Sequence, residues 1–198
     1  VSDMQEAGHI VVEISDYGIQ SSADVVIHYA YPENREMGKR RVSLEGPAYF
    51  PLSDRFHNVP RGETGHISII PGSGGIWEGI EDNLWAIGIS PVVLKDLEPD
   101  KFAERLGKSE VVISAASVSA WEAVGLGKMV FLIQTADNQK TSYDTLIKLG
   151  VALSFSDGHF ADHIKNEELK RGLKERCKKI IDGRGAERIV SVVRGVWA

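Results

Sequence analysis

The chain is built from short apolar runs that alternate with segments of helical periodicity. Seven runs rich in β-branched residues are each followed by turn residues, at 9–15, 24–28, 66–71, 91–95, 110–115, 129–134 and 151–155. Several are apolar throughout, which is typical of parallel strands covered by helices on both faces. Strands that alternate with helices form βαβ units with right-handed crossovers. The sequence therefore predicts an α/β fold with a doubly wound, mostly parallel, Rossmann-like sheet.

Between the predicted strands lie segments with apolar residues at helical spacing, at 77–87, 99–106, 118–126, 140–149, 167–181 and 186–197. Gly127 and Gly150 stand where a glycine commonly ends a helix. Asn166 is an expected N-cap. Cys177 falls on an apolar stripe beside basic residues, and a small buried hydrophobe is favoured over a reactive thiol with a lowered pKa.

The composition changes between residues 31 and 65, where proline, glycine, arginine and asparagine cluster. Such residues are typical of loops and linkers, so we expect a domain boundary near residues 60–65. Residues 1–60 are then the remnant of a preceding α/β domain with its linker. Residues 61–198 form the more complete α/β domain.

Charge and cysteine content exclude several classes of protein. The 198 residues are 42% hydrophobic, which is too apolar for a disordered chain. A net charge of -5 argues against a nucleic-acid binder that neutralises phosphates. A single cysteine, without a Cys/His cluster at metal-ligand spacing, predicts no internal disulfide, no metal site and a cytoplasmic location. No apolar run approaches the roughly 18 residues of a membrane span, so none is expected.

In open α/β sheets, ligands bind beyond the carboxyl ends of the strands, so the residues after each strand are the candidates. One predicted strand is followed by Gly72, Ser73, Gly74 and Gly75, which lead into a helix. Such a turn lets backbone N–H groups approach a phosphate, although the Gly-Lys-Ser/Thr of a Walker loop is missing. A tight strand–helix turn that binds no ligand is the alternative.

A second candidate follows the strand at 110–115. Ser117, Val118 and Ser119 begin a helix there, and the serine hydroxyls either cap that helix or contact an anion at its N-terminus. Glu122 lies about one turn further on. Its carboxylate either complements the helix dipole or accepts hydrogen bonds from both hydroxyls of a ribose.

A third candidate follows the strand at 129–134, where Asp137, Asn138 and Gln139 open another helix. One of them would suffice for an Asx turn or an N-cap. Three in succession, on the same sheet edge as Glu122, are also consistent with a site for sugar hydroxyls.

Residues 111–139 resemble the nucleotide-binding half of GT-B glycosyltransferases. The pattern is a strand ending in small residues, a glutamate one turn into the next helix, Leu-Gly-Lys, an apolar strand and Asn-Gln. Within that family, the chain resembles the MurG-type transferases and the UDP-sugar hydrolase of pseudaminic acid synthesis, with its spore-coat polysaccharide relatives. Residues 10–26, 44–56 and 182–188 also resemble segments of the hydrolase-like subgroup.

The resemblance implies a role for each candidate segment. Glu122 would hold the ribose of a uridine nucleotide, and residues 117–119 would face its pyrophosphate. Asn138 and Gln139 would reach the donor sugar, while residues 72–75 would form the glycine-rich loop of the cleft. The implied ligand is UDP or a UDP-sugar without a further cofactor, and the implied process is cell-surface polysaccharide biosynthesis.

The chain also departs from the family. Ser117 stands where relatives have glycine, and Met129 where they have proline. The Gly-x-Gly-His-x-x-Arg loop, which supplies the catalytic histidine of the hydrolase subgroup, does not occur in the sequence. No catalytic residue is therefore assigned.

These departures lead to two functional hypotheses. The first is a nucleotide-sugar-binding protein, transferase- or hydrolase-like, that needs a missing N-terminal partner domain for catalysis. The alternative is a non-catalytic binding or scaffold module that has lost nucleotide binding. Exposed edges of a shortened sheet also favour self-association.

Overall fold

The structure is a computed structural model of the chain, and it describes residues 2–15, 22–31, 42–59, 65–72 and 76–197. Two parallel sheets organise these residues. The first has the order β1-β2-β3, and the second has the order β5-β4-β6-β7-β8. The strands are β1 (Val12–Ser15), β2 (Val25–His28), β3 (Val42–Glu45), β4 (His66–Ile70), β5 (Val92–Val93), β6 (Ser109–Ala115), β7 (Met129–Ile133) and β8 (Leu153–Ser154).

Helices connect the strands and cover the sheets. They are α1 (Ser2–Glu6), α2 (Ile76–Ala86), α3 (Pro99–Lys108), α4 (Val118–Gly125), α5 (Lys140–Lys148), α6 (Phe160–His163), α7 (Glu167–Ile180) and α8 (Gly185–Trp197). The chain also forms 3-10 turns at Pro47–Tyr49, Asp54–Phe56, Asp137–Gln139 and Phe155–Asp157. The predicted Rossmann-like α/β fold is confirmed, and the predicted helices are found to within a few residues.

The five-stranded sheet is buried on both faces, which explains its continuously apolar strands. Val112 and Val130 point into a core shared with α3, α4 and α5. Their neighbours Val111 and Phe131 point the opposite way, into a core shared with α2 and α6. Adjacent residues of one strand must therefore both be apolar, because successive side chains alternate between faces.

One end of each of three helices follows the predicted local rules. Gly127 and Gly150 have φ angles of 72° and 63°, the left-handed conformation that follows α4 and α5. The side chain of Asn166 accepts a hydrogen bond from the backbone N–H of Leu169 at 3.0 Å, as an N-cap of α7 should.

Three elements were not predicted. The helices α1 and α6 are each shorter than two turns, and β3 lies in the turn-rich segment. In β3, Ser43 and Glu45 alternate with apolar residues, as in a strand at the edge of a sheet that pairs on one side with β2. The predicted strand at 91–95 shrinks to two residues of β5.

The three-stranded sheet packs against the last helix of the chain. Val25 and Ile27 of β2 contact Ile189 of α8 in a small separate core. The entry to α8 is fixed by Arg188, which donates two hydrogen bonds to the carboxylate of Asp182 at 2.7 and 2.6 Å, and a third to the carbonyl of Ala48 at 3.0 Å. Residues 182–188, which resemble a family motif, therefore hold α8 on the first sheet.

An aromatic cluster connects the first sheet to the second. Trp121 of α4 meets Tyr29 edge-on, with ring centroids 5.3 Å apart, and stacks on Phe50 at 5.8 Å. Its indole N–H donates to the hydroxyl of Ser142 at 3.0 Å. Residues 60–64, where we expect the domain boundary, lie outside the described residues, and the division into two domains remains a prediction.

Candidate functional site

Three predicted segments meet at one edge of the five-stranded sheet. Because β4, β6 and β7 are adjacent and parallel, their carboxyl ends lie side by side. Gly72 follows β4, and a Cβ atom added to it would stand 3.3 Å from Ala115 Cβ and 3.8 Å from Thr135 Oγ1. The ends of the three strands are therefore in close contact. Ser73, Gly74 and Gly75, which were predicted to form a phosphate loop here, lie outside the described residues.

The first turn of α4 is open at this edge. Ser117 occupies the N-cap position, but its side chain makes no capping hydrogen bond. Its backbone N–H donates to the carbonyl of Ala115 at 2.7 Å. Ser117 and Ser119 are half-buried, and Val118 is 48% exposed. Capping alone therefore does not explain Ser117, and its hydroxyl lies beside the positive end of the helix dipole.

Glu122 lies one turn further along α4 and is half-buried. Burial raises the pKa of its carboxyl to about 7, and the positive charge of Arg55 partly opposes this rise. Arg55 comes from the 3-10 turn Asp54–Phe56, and the sequence did not identify it as a neighbour of Glu122. A carboxyl that titrates near neutrality is typical of functional sites.

The raised pKa leads to a prediction about stability. Glutamate has a pKa near 4.5 when exposed, so folding favours the protonated form. The resulting stability is present below that value and is lost as the pH rises through about 7. We expect Glu122→Gln to unfold like the native protein near pH 5, and to be more stable by about 1–2 kcal/mol near pH 8, after allowance for solvent screening.

Urea unfolding of both proteins at the two pH values measures this difference. Glu175→Gln is the control, because Glu175 is exposed on α7, away from the candidate edge. A pH-independent difference between Glu122→Gln and the native protein would show that Glu122 ionises normally.

The loop after β7 is closed by one of its own side chains. The amide oxygen of Gln139 accepts hydrogen bonds from the backbone N–H of Thr135 at 2.9 Å and from its hydroxyl at 3.1 Å. Asp137 and Asn138 are exposed on the same turn. Gln139 thus shapes the loop, and Asp137 and Asn138 are the side chains that it presents outward.

Two cavities lie away from this edge. One of about 210 Å³ is at the opposite end of β6 and β7, where Lys170 forms ion pairs with Glu110 and Glu167. Another of about 440 Å³ lies near Gly125 and Gly183, where α4 and α7 end. Neither cavity is lined by a described residue of the candidate site.

Other potentially reactive groups have structural explanations or are not clustered. Burial raises the pKa of the Cys177 thiol to about 12, which agrees with a buried hydrophobe. Within the described ranges, no three His, Cys, Asp or Glu side chains are grouped so that they could hold a metal ion. Over the same ranges, no helix has the length and apolarity needed to cross a membrane.

Comparison of the sequence with models of protein families and with curated proteins finds no match. Solved structures do match the fold. The glycotransferase of kitacinnamycin has a TM-score of 0.58 at 11% identity, over 87% of this chain and 54% of that one. CalG4, the calicheamicin glycosyltransferase, has a TM-score of 0.54 at 12% identity, over 88% of this chain and 52% of that one.

The chain spans about half the length of these two structures. Likeness at such low identity concerns the fold rather than the chemistry. Together with the two parallel sheets and the helices that cover them, it gives one conclusion. This protein has the Rossmann-like α/β fold of GT-B glycosyltransferases.

Proposed function

We propose that the chain binds the uridine diphosphate part of a nucleotide sugar at the carboxyl edge of β4, β6 and β7. The observation that carries this proposal is the open first turn of α4, with Glu122 one turn further along the same helix. We further propose that the protein belongs with the MurG-like and UDP-sugar hydrolase subgroup, and acts in the cytoplasm in the synthesis of cell-surface polysaccharide.

The pyrophosphate is proposed to lie at the N-terminus of α4. The first N–H groups of a helix and its dipole attract anions. Ser117 and Ser119 add hydroxyl donors at the same place. The Cβ of Ser117 keeps a phosphate further from the backbone than the glycine of relatives would, so the hydroxyls replace some backbone contacts.

The ribose is proposed to bind Glu122. An ionised carboxylate accepts hydrogen bonds from both hydroxyls of a diol, so binding favours the ionised form. In the protein without nucleotide, the carboxyl of Glu122 has a pKa of about 7. Nucleotide binding should therefore release a proton from Glu122, and the affinity should rise as the pH rises through that value. The loop that carries Asp137 and Asn138 then lies beside the donor sugar.

The chemical step is proposed to require a further domain. The proposal uses the carboxyl groups that the described residues place at the edge, those of Glu122 and Asp137, to bind the ribose and the donor sugar. The chain spans only about half of the matching glycosyltransferase structures. We therefore expect no hydrolysis of a UDP-sugar by this chain alone.

The second candidate function is a binding or scaffold module without a nucleotide. Two observations favour it: Ser117 replaces a glycine, and Glu122 is half-buried near Arg55 rather than fully open. Under this alternative, the raised pKa of Glu122 reflects burial and has no functional meaning.

Calorimetric titration with UDP and UMP distinguishes the two functions. We expect saturable binding, and we expect Glu122→Ala to weaken it about ten-fold or more because a charge-assisted hydrogen bond is lost. Glu104→Ala, on the exposed surface of α3, is the matched control and should bind as the native protein does. Absence of binding at millimolar nucleotide would favour the scaffold module.

A further inference from the structure

The indole N–H of Trp77 is buried without an acceptor. Trp77 lies in the first turn of α2 and is only 6% exposed. Its ring packs in the core beneath the candidate edge, together with Ile113 and Phe131. Its Nε1 has no hydrogen-bond partner. Such a group lowers the stability of a folded protein, and buried polar groups are nearly always paired.

The unpaired N–H lies close to the meeting point of the three strand ends. In the indole ring of Trp77, Cζ2 and Nε1 are bonded to the same carbon atom. Cζ2 is 3.7 Å from the position that a Cβ atom on Gly72 would take. That same position is 3.3 Å from Ala115 Cβ and 3.8 Å from Thr135 Oγ1. The edge of the indole that carries the N–H is thus next to the candidate site.

We propose that Trp77 donates this hydrogen bond to a phosphate oxygen of the bound nucleotide. The inference rests on the proposed function and adds a contact that the sequence did not indicate. The acceptor is anionic because Trp77 lies in the first turn of the eleven-residue helix α2. The dipole of this helix places partial positive charge at its N-terminus, on the same edge of the sheet. The N–H is closed off from solvent in the free protein, so ligand entry has to open a path to it. The charge-assisted hydrogen bond offsets the cost of that opening.

The proposal predicts that the N–H of Trp77 forms no hydrogen bond in the free protein and one hydrogen bond in the complex. In the free protein the N–H stabilises nothing, because it has no partner. In the complex it forms one hydrogen bond to a charged group. We therefore expect Trp77→Phe to weaken UDP binding about five- to twenty-fold. Trp85→Phe is the matched control, since Trp85 lies on the same helix and is 55% exposed, and it should not change the affinity.

The direct test follows the indole N–H signals of the 15N-labelled protein by NMR. The chain has four tryptophans, and the Trp77 signal is assigned by its absence from Trp77→Phe. If that variant does not fold, variants of Trp85, Trp121 and Trp197 assign it by elimination. We expect saturation with UDP to move the Trp77 indole proton downfield as it gains an acceptor, and to leave the Trp85 signal in place. Uridine, which lacks phosphate, should not move it.

The outcomes separate this inference from the function on which it rests. If UDP shifts the backbone amides of residues 117–119 but not the Trp77 indole, the inference is wrong and the proposed function stands. An equal response to uridine would overturn the assignment to a phosphate oxygen. If UDP changes no signal, the proposed function is overturned and the role of Trp77 with it.

Discussion

Replacing Gly185 with alanine is expected to lower the free energy of unfolding by about 3 kcal/mol or more. A Cβ atom at this position would stand 2.0 Å from the carbonyl oxygen of Phe50 and 2.6 Å from its carbonyl carbon. Both are backbone atoms, so no side-chain rotation relieves the clash. The first turn of α8 would have to move away from the Pro47–Tyr49 turn, and its packing on the first sheet would be lost.

Urea unfolding of Gly185→Ala and Gly195→Ala measures the effect. Gly195 lies in the same helix, and a Cβ added there meets nothing within 4 Å. Its replacement by alanine should be neutral or stabilising by up to about 1 kcal/mol, because alanine favours helix. Equal unfolding midpoints for the two variants would show that α8 does not pack against the backbone of Phe50 as described.

The second large effect is expected for Trp121→Ala, at about 3–5 kcal/mol of unfolding free energy. Trp121 is 0% exposed and contacts Tyr29 and Phe50 from the first part of the chain. Its removal leaves a cavity between the first and the second sheet and takes away the hydrogen bond to the hydroxyl of Ser142. We therefore expect both sheets to lose stability together.

Trp85→Ala is the control for that variant. Trp85 is 55% exposed, so its replacement should change the unfolding free energy by no more than about 0.5 kcal/mol. Circular dichroism and tryptophan fluorescence, followed through the same urea titration, report whether Trp121→Ala weakens the whole chain. A loss no larger than that of Trp85→Ala would contradict the aromatic connection between the two sheets.

Most of the fold was predictable from the sequence because burial on both faces makes strands apolar throughout. Residues such as Val111 and Val112 carry that signal directly, since each faces a different core. Local rules also placed the glycine that follows α4 and the N-cap of α7. These features depend on short stretches of chain, which is why periodicity and turn residues suffice to find them.

The position of α8 was not predictable in the same way. It depends on contacts such as the hydrogen bond from Arg188 to the carbonyl of Ala48, which are 140 residues apart. The edge strand β3 was missed although Ser43 and Glu45 alternate with apolar residues, because four residues are too few for this alternation to stand out beside a turn-rich segment. Pairing with β2 and packing on the first sheet, both long-range contacts, decide where β3 and α8 lie.

The candidate site was predictable only in outline. The ends of β4, β6 and β7 come together because parallel strands present their carboxyl ends at one edge. The neighbour Arg55, the raised pKa of Glu122 and the unpaired N–H of Trp77 arise from tertiary packing. They could be found only once the folded arrangement was known.

The central claim is that a uridine nucleotide binds at the carboxyl edge of the five-stranded sheet. The most direct test is a titration of the 15N-labelled protein with UDP, followed by the backbone amide signals. We predict saturable shifts at residues 117–119 and 135–139. Shifts confined to the opposite end of the sheet, around the cavity at Glu110, Met129 and Lys170, would contradict the claim, as would no shift at all.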